Sequence, residues 1–392
     1  MRFLHTADWH VGKTIRGRSR TDEHEAVLGH LVELADSEDV DLVVVVGDLF
    51  DSAAPSPEAE RIVYRTLLDL GRGGRPVVVV AGNHDNPRRL AAVAPVFDHS
   101  HVHLHTTVVP PDQGGVLALE AGGVPVRLAL LPFVSQRHVV GVDELMGSAA
   151  DQHALAYADR MQRILEVLAT GFEDHTVNIV VAHAMVAGAV TGGGERSAHT
   201  IFEYALPSVA FPASAHYVAL GHLHRGQQIH GPCPIWYPGS PLALDFGEQH
   251  DLKGALLVEA LPRTPARVEP IALGGARAFR TVTGTVAELA QQVREGDDSY
   301  VRAIVREPGR AGLADEVRAL FPEAVEIRVE SPDAPVGARP DDDALGERAT
   351  PRQQFVGYLS ARSIDDPRLV ALFDELHDDA VRAERDEAFD AS

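Results

Sequence analysis

Five places in the 392-residue sequence put carboxylate, imidazole or amide side chains directly after a short apolar run. Asp8 and His10 follow residues 3–7, and Gly47-Asp48-Leu49-Phe50-Asp51 follows 42–46. Gly82-Asn83-His84-Asp85 follows 77–81, His183 follows 179–182, and Gly221-His222-Leu223-His224 follows 217–220. Asp and Asn offer hard oxygens, His a borderline nitrogen, and no thiolate joins them. That donor set suits Mn²⁺, Fe²⁺ or Zn²⁺ and argues against Ca²⁺ or Cu(I). Its size fits two divalent ions sharing one carboxylate. In D-x-H and H-x-H an extended backbone turns the middle residue away, so Asp8 with His10, and His222 with His224, can each reach one centre. Glycines 47, 82 and 221 permit a sharp turn just before each ligand.

For the five segments to converge, the runs that precede them must be strands of one architecture. Up to about residue 265 the sequence alternates apolar runs (3–7, 42–46, 77–81, 126–131, 179–182, 217–220 and 255–258) with helical spacing over 24–35, 57–70 and 154–168. These are βα units of a layered α/β sandwich. Loops at the carboxyl ends of such strands gather at one sheet edge, where these folds build their sites. Residues 1–265 are therefore expected to form the main domain. Residues 266–330 form a small α/β domain, with strands at 279–282, 301–305 and 325–329 and helices at 286–293 and 314–320. Residues 331–350, rich in Pro, Gly, Ala and Asp, are a linker. Residues 351–392, with an amphipathic stretch at 369–383, are a docking segment.

The 57 acidic against 35 basic residues give a net charge of −22, a field that repels nucleic acid and excludes a DNA-coating protein. Metal-dependent phosphate chemistry survives this, because bound cations dominate the local field. The single cysteine, Cys233, rules out an internal disulfide and a thiolate zinc site. No signal peptide and no run of ~20 apolar residues is present, and a cytoplasmic protein is expected. Two of the 35 basic residues are lysine and the other 33 arginine, a ratio read as genomic base composition.

The order D-x-H, G-D-x-x-D, G-N-H-D, a single His after a strand, and G-H-x-H resembles the calcineurin-like metallophosphoesterases. The resemblance implies a four-layer α/β sandwich carrying the small domain as a cap and ending in a helical tail. Three further segments are similar to the nuclease branch of that family. They are Phe3-Leu4-His5-Thr6-Ala7-Asp8-Trp9-His10-Val11-Gly12, Ser19-Arg20 to Glu23-His24, and Tyr237-Pro238-Gly239-Ser240-Pro241 to Phe246-Gly247-Glu248. By that resemblance Asp8, His10 and His224 hold one metal, Asn83, His183 and His222 the other, and Asp48 bridges. His84 is then no ligand but a proton donor to the leaving oxygen. Asp51, standing where archaeal relatives have a second histidine, orients or charges His84. The implied ions are Mn²⁺, with Mg²⁺, Fe²⁺ or Zn²⁺ as alternatives. The implied activity is 3′ to 5′ exonuclease and endonuclease cleavage of duplex DNA ends and hairpins, by a homodimer within a heterotetramer that includes an SMC-type ATPase. Two other functions stay open on the residues: a phosphatase or phosphodiesterase acting on a small molecule or phosphoprotein, and a DNA-end-binding scaffold for the ATPase.

Other features have milder explanations. His101, His103 and His105 alternate on what is expected to be a solvated edge strand. Thr191-Gly192-Gly193-Gly194 matches no phosphate-binding fingerprint and is expected to be a surface loop. Trp9 could stack on a base or pack beside the site. Lys13, Arg16, Arg18 and Arg20 form the most basic stretch near the site and are expected to meet DNA phosphates.

Overall fold

The computed structural model describes residues 1–97, 99–135, 150–192 and 205–330, together with Phe355, Val356, Leu359, Val370 and Phe373. The chain opens with β1 (Arg2–Thr6), α1 (Thr21–Ser37), β2 (Leu42–Val46), α2 (Pro57–Leu70), β3 (Val77–Val80), α3 (Pro87–Phe97) and β4 (Val102–His105). It continues through β5 (Val116–Ala121), β6 (Val124–Leu131), α4 (Ala150–Ala169), β7 (Val177–His183), β8 (Tyr217–Gly221), β9 (Gln227–Ile229), β10 (Ile235–Tyr237), β11 (Gly254–Leu261) and β12 (Thr264–Ala272). Two six-stranded sheets result, ordered β12-β11-β1-β2-β3-β4 and β5-β6-β7-β8-β10-β9.

The valine runs explain why the sheets stack. A strand buried on both faces is apolar at every position, and β2 (LVVVV) and β3 (VVVV) are buried throughout. Val43, Val45, Val77 and Val79 face α1 and α2 in one core. Their neighbours Leu42, Val44, Val46, Val78 and Val80 meet Val126, Leu128, Ile179, Val181 and Tyr217 of the second sheet. A third core packs Met161, Leu165 and Leu168 of α4 against Val180, Val218 and Leu220. The layers are thus helix, sheet, sheet, helix, the expected four-layer sandwich. On α2, Ser56 accepts from the Ala59 amide at 3.2 Å and Pro57 occupies the first turn, a combination that starts a helix. Ala59, Ile62, Val63, Thr66, Leu67 and Leu70 then form its buried stripe.

β13 (Phe279–Gly284), α5 (Val286–Ala290), β14 (Tyr300–Val305), α6 (Leu313–Leu320) and β15 (Ala324–Val329) build a third, parallel sheet ordered β13-β14-β15. A capping box between Thr285 and Glu288 starts α5. This sheet belongs to the same compact unit as the sandwich (Met1–Arg306 with Arg310–Val329). It is tied on by a buried clamp. The Arg20 guanidinium holds both oxygens of Glu23, at 3.1 and 2.9 Å, and Glu23 also accepts from the Tyr300 hydroxyl (2.6 Å) and the Arg277 amide (2.9 Å). Phe246, Phe279 and Tyr300 pack around it, with Arg20 over the Phe279 ring.

A second unit comprises Glu307–Gly309 with Glu330–Ser392. Within it the Phe355 and Phe373 rings stack at 4.4 Å. The linker expected at 331–350 and most of the segment at 351–392 lie outside the described residues. Among the described residues no helix is long and apolar enough to cross a membrane.

Candidate metal centre

Each candidate residue stands at or just past a strand's carboxyl end: Asp8 and His10 after β1, Asp48 after β2, Asn83 and His84 after β3, His183 closing β7, and His222 and His224 after β8. The first two loops are zipped together. The amides of Asp8, His10 and Val11 donate to the carbonyls of Gly47, Asp48 and Leu49 at 2.9–3.0 Å, and the Asp51 amide donates back to Val11 at 3.2 Å. The backbone around the site is unusual. Asp8, His10, Asp48 and His222 have φ of 55°, 46°, 51° and 109°, in the region that disfavours a side chain. The glycines serve two purposes. Gly47 takes φ 75°, whereas at Gly82 and Gly221 the constraint is proximity. A Cβ on Gly82 would lie 2.2 Å from Asp48 Oδ1, and one on Gly221 would lie 1.9 Å from the Val46 carbonyl.

Asp8, His10 and His224 offer ligand atoms within 4.8 Å of one another, as do Asp8, Asp48 and His183. His10 Nε2 and His224 Nε2 face each other at 3.1 Å. On the other side, Asn83 Oδ1 lies 3.0 Å from His183 Nε2 and 2.8 Å from His222 Nδ1. Asp48 Oδ2 stands between the halves, 3.5 Å from His10 Nε2 and 3.6 Å from His183 Nε2. The main-chain amide of His222 donates to both oxygens of Asp8, at 2.9 and 3.1 Å, and that of His84 donates to Asp48 Oδ1 at 2.8 Å. The structure thus brings all seven residues together. His84 joins their margin, its ring edge-on to His10 at 4.6 Å and its Nδ1 2.9 Å from the Asp51 carbonyl oxygen. The Asp51 carboxylate points elsewhere, toward Lys13 Nζ (3.0 Å) and His10 Nδ1 (3.5 Å).

Burial sets the electrostatics. It raises Asp8 to about 7, reinforced by the Asp48 charge and opposed by His183, His224 and the His222 amide. Asp48 is equally buried, yet His183, His10 and His84 hold it well below the usual carboxylate range. Burial lowers His183, but the Asp48 carboxylate overrides this and lifts it to about 9. Burial prevails at His10, which falls to about 4.

The donor set fits divalent cations. Two imidazole nitrogens that can aim lone pairs at each other, beside buried carboxylates, form an arrangement a cation between them satisfies. On the far side of the His10 ring, buried Nδ1 makes no full hydrogen bond and has the Asp51 carboxylate, at 3.5 Å, as its polar neighbour.

Two supporting residues had no assigned role in the sequence, and a third gave no signal. Asp85 of the G-N-H-D segment accepts from the amides of Gly82 (2.8 Å) and Phe50 (3.2 Å), bracing the loop that carries Asn83. Glu248 lies behind His224, its Oε1 3.1 Å from Nδ1. Phe133, stacked near His222 with ring centroids 6.2 Å apart, follows β6 with no motif to mark it.

The basic stretch is paired with carboxylates of the chain itself. Lys13 pairs with Asp51, Arg16 with Glu326 and Arg18 with Glu323, at 3.0, 2.9 and 2.7 Å, and Arg20 is buried in the clamp. Glu326 and Glu323, at the third sheet, thus pair with Arg16 and Arg18. Trp9 is fully buried and donates to Thr6 Oγ1 at 2.9 Å, so it packs and does not present a face to a base. The strand β4 is at a sheet edge as expected, with His103 and His105 half-buried. The run at Thr191 passes out of the described residues after Gly192.

Residues 1–226 match the model of the calcineurin-like phosphoesterase family. The SbcD component of the SbcCD nuclease of Bacillus subtilis (strain 168) is 33% identical over 346 residues, covering 84% of this chain and 85% of that protein. The protein of the same name from Rhodobacter capsulatus is 35% identical, covering 63% of this chain and 64% of its own length. That from Escherichia coli K12 is 30% identical, covering 76% and 74%.

Proposed function

The chain belongs to the calcineurin-like phosphoesterases, among the SbcD components of SbcCD nucleases, and on that footing we propose how its site works as a metal-dependent DNA nuclease. The observation that carries the assignment is the placement of Asp48 between two donor groups. Asp8, His10 and His224 would hold one divalent cation, and Asn83, His183 and His222 the other, with Asp48 shared. Mn²⁺ is the ion proposed for both. When bound, the ions supply positive charge to the phosphodiester oxygens and lower the pKa of a water.

The remaining steps fall to the chain itself. A carbonyl can only accept, so the Asp51 carbonyl fixes His84 Nδ1 as an N–H, and in the imidazolium form the second proton sits on Nε2, the one the ring can deliver before returning to the neutral Nδ1–H tautomer. His84 thus acts as general acid at the leaving oxygen, a role worth ~10² to 10⁴ in rate. Asp51 positions His84 through its main chain and reaches His10 through its carboxylate. Phe133 covers His183 and His222 with an apolar ring, shielding that side from water.

The substrates proposed are double-stranded DNA ends and hairpins, cleaved 3′ to 5′ or endonucleolytically in the cytoplasm. The partner is an SbcC-like SMC-type ATPase, in a heterotetramer built on a homodimer of this chain. A net charge of −22 supports dependence on that partner, because basic surface for long DNA must come from elsewhere. Residues 1–265 would cut, the module after them would cap, and 351–392, beyond the linker, would dock the ATPase.

The test sets a hairpin DNA beside a generic phosphomonoester, with Mn²⁺, ATP and the ATPase partner present or omitted. Cleavage of the hairpin and not the monoester is expected, and the reverse preference would make the chain a phosphatase. His84→Ala should retain both metals and the melting temperature while single-turnover cleavage falls ~10² to 10⁴-fold. Loss of metal in that variant would make His84 a ligand.

A further inference from the structure

Only Lys13 and Lys253 are lysines among the 35 basic residues, and both hold a carboxylate that lies behind a histidine of the Asp8–His10–His224 group. Lys253 Nζ lies 2.7 Å from Glu248 Oε2, and Glu248 Oε1 lies 3.1 Å from His224 Nδ1. Lys13 Nζ lies 3.0 Å from Asp51 Oδ1, itself 3.5 Å from His10 Nδ1. The two imidazoles so backed are the pair whose Nε2 atoms face each other at 3.1 Å. His183, of the other group, is backed by the neutral Val46 carbonyl at 2.9 Å.

From this juxtaposition we propose that the two lysines are positioning residues. Lys253 fixes a Lys–carboxylate–His chain that sets the tautomer of His224, and Lys13 holds the Asp51 carboxylate as a weaker electrostatic support behind His10, so that both tune one metal position selectively. The proposal rests on the metal-binding reading above.

The geometry accounts for lysine in a chain that otherwise uses arginine. An ammonium has three donors on a single atom, whereas a guanidinium spreads five in a plane. Lys253 uses three directions at once: Glu248 Oε2 (2.7 Å), the main-chain carbonyl of His224 (2.7 Å) and Ser240 Oγ (3.0 Å). A planar fork would cover both oxygens of Glu248 and compete with His224 for Oε1. Glu248 itself is fully buried, and its Oε2 also accepts from the Leu244 amide at 2.9 Å. With Glu248 Oε1 3.1 Å behind Nδ1 as an acceptor, His224 carries its proton there, and Nε2 presents a lone pair to a cation. The same arrangement gives a purpose to the Tyr237–Glu248 motif. Gly239, at φ 75°, lets the chain pass where a Cβ would lie 2.7 Å from the His224 carbonyl, which brings Ser240 and Glu248 behind that histidine.

The two arms differ in tightness, so their effects should be graded. In the full-length protein, stripped of metal and titrated with Mn²⁺ by calorimetry, the wild type should show two binding events. Glu248→Gln and Lys253→Met should each weaken one event ~10 to 100-fold and leave the other unchanged. Lys13→Met should weaken the same event by a smaller factor. Lys253→Arg should fail to restore the lost affinity, although it restores the charge. In metal-free protein carrying ¹⁵N-labelled histidine, His224 should give the Nδ1–H tautomer, lost in Glu248→Gln.

Unchanged affinities in folded variants, equal weakening of both events, or full rescue by Lys253→Arg would overturn the proposal. Should removing Lys253 or Glu248 prevent folding, Lys13→Met decides alone, its site being a quarter exposed. A wild type binding fewer than two ions would instead count against the nuclease assignment, and the tautomer measurement would still read the Glu248 contact.

Discussion

Two buried clusters of ionisable groups occupy the same compact unit and have opposite character. In the clamp to the cap, Glu23 accepts from Arg20, Tyr300 and Arg277, and Arg20 also donates to the Ala243 carbonyl. The charges there cancel within the protein. At the strand ends, Asp8 and Asp48 are buried together, burial above all lifts Asp8 to about 7, and two imidazole nitrogens confront each other. That cluster is left for a cation to complete. One is satisfied within the protein and serves to tie the third sheet to the sandwich. The other gathers carboxylates and imidazoles whose protonation burial and mutual charge shift strongly, the character of a candidate binding site.

The sharpest way to break this contrast is Asp48→Ala. With the shared carboxylate gone, both metals should be lost from the purified protein and DNA cleavage should vanish. Two tightly held ions in that variant would remove Asp48 as the bridge. Next comes Arg20→Met, which strands Glu23 beside aromatic rings. Removing one partner of a buried pair costs about 3–5 kcal/mol, seen as a lower midpoint in urea, while Mn²⁺ affinity of the folded fraction should not move. A change in metal affinity would show that the two clusters are coupled.

A finer probe is pH. Burial raises the Glu23 carboxyl, but its bonds to Arg20, Tyr300 and Arg277 outweigh this and hold it below the usual range. A depressed carboxylate stabilises the fold fully above its unfolded value of ~4.3 and loses that contribution as pH falls through its folded value. The gap in melting temperature between wild type and Glu23→Gln, equivalent to about 1.5–3 kcal/mol, should therefore be full at pH 7 and close toward pH 3. A gap independent of pH would assign the effect to packing. The smallest effect belongs to Arg16→Ala, whose pair with Glu326 is part-exposed and worth about 0–1 kcal/mol. DNA affinity of this variant should match wild type, and a large loss would return Arg16 to a phosphate-binding role.

The difference between the clusters also explains what the sequence made legible. The candidate centre was legible because its residues stand at or shortly after the ends of apolar strands, and two-sided burial makes β2 and β3 unmistakable runs of valine. The cap's β-α-β-α-β succession was equally plain in its periodicity. The clamp was not, because Glu23 and Tyr300 are 277 residues apart and nothing local marks their pairing. Arg16 and Arg18 read as a basic patch for the same reason, their neutralising partners Glu326 and Glu323 lying 310 and 305 residues away. Glu248 stood inside a noticed motif, but its relation to His224 depends on Gly239 bending the chain back, which residue types alone do not encode.

The left-handed backbone at Asp8, His10, Asp48 and His222 has a bearing on the life of the protein in the cell. Each such residue costs roughly 1–3 kcal/mol, a substantial share of the roughly 5–15 kcal/mol that separates a typical domain from its unfolded chain. Glycine would relax the strain but could not bind. A cation binding only the folded site would offset this cost, by an amount that grows with the free ion concentration. Chaperones and proteases act on the transiently unfolded fraction, so a fold strained at these four positions has less margin against them.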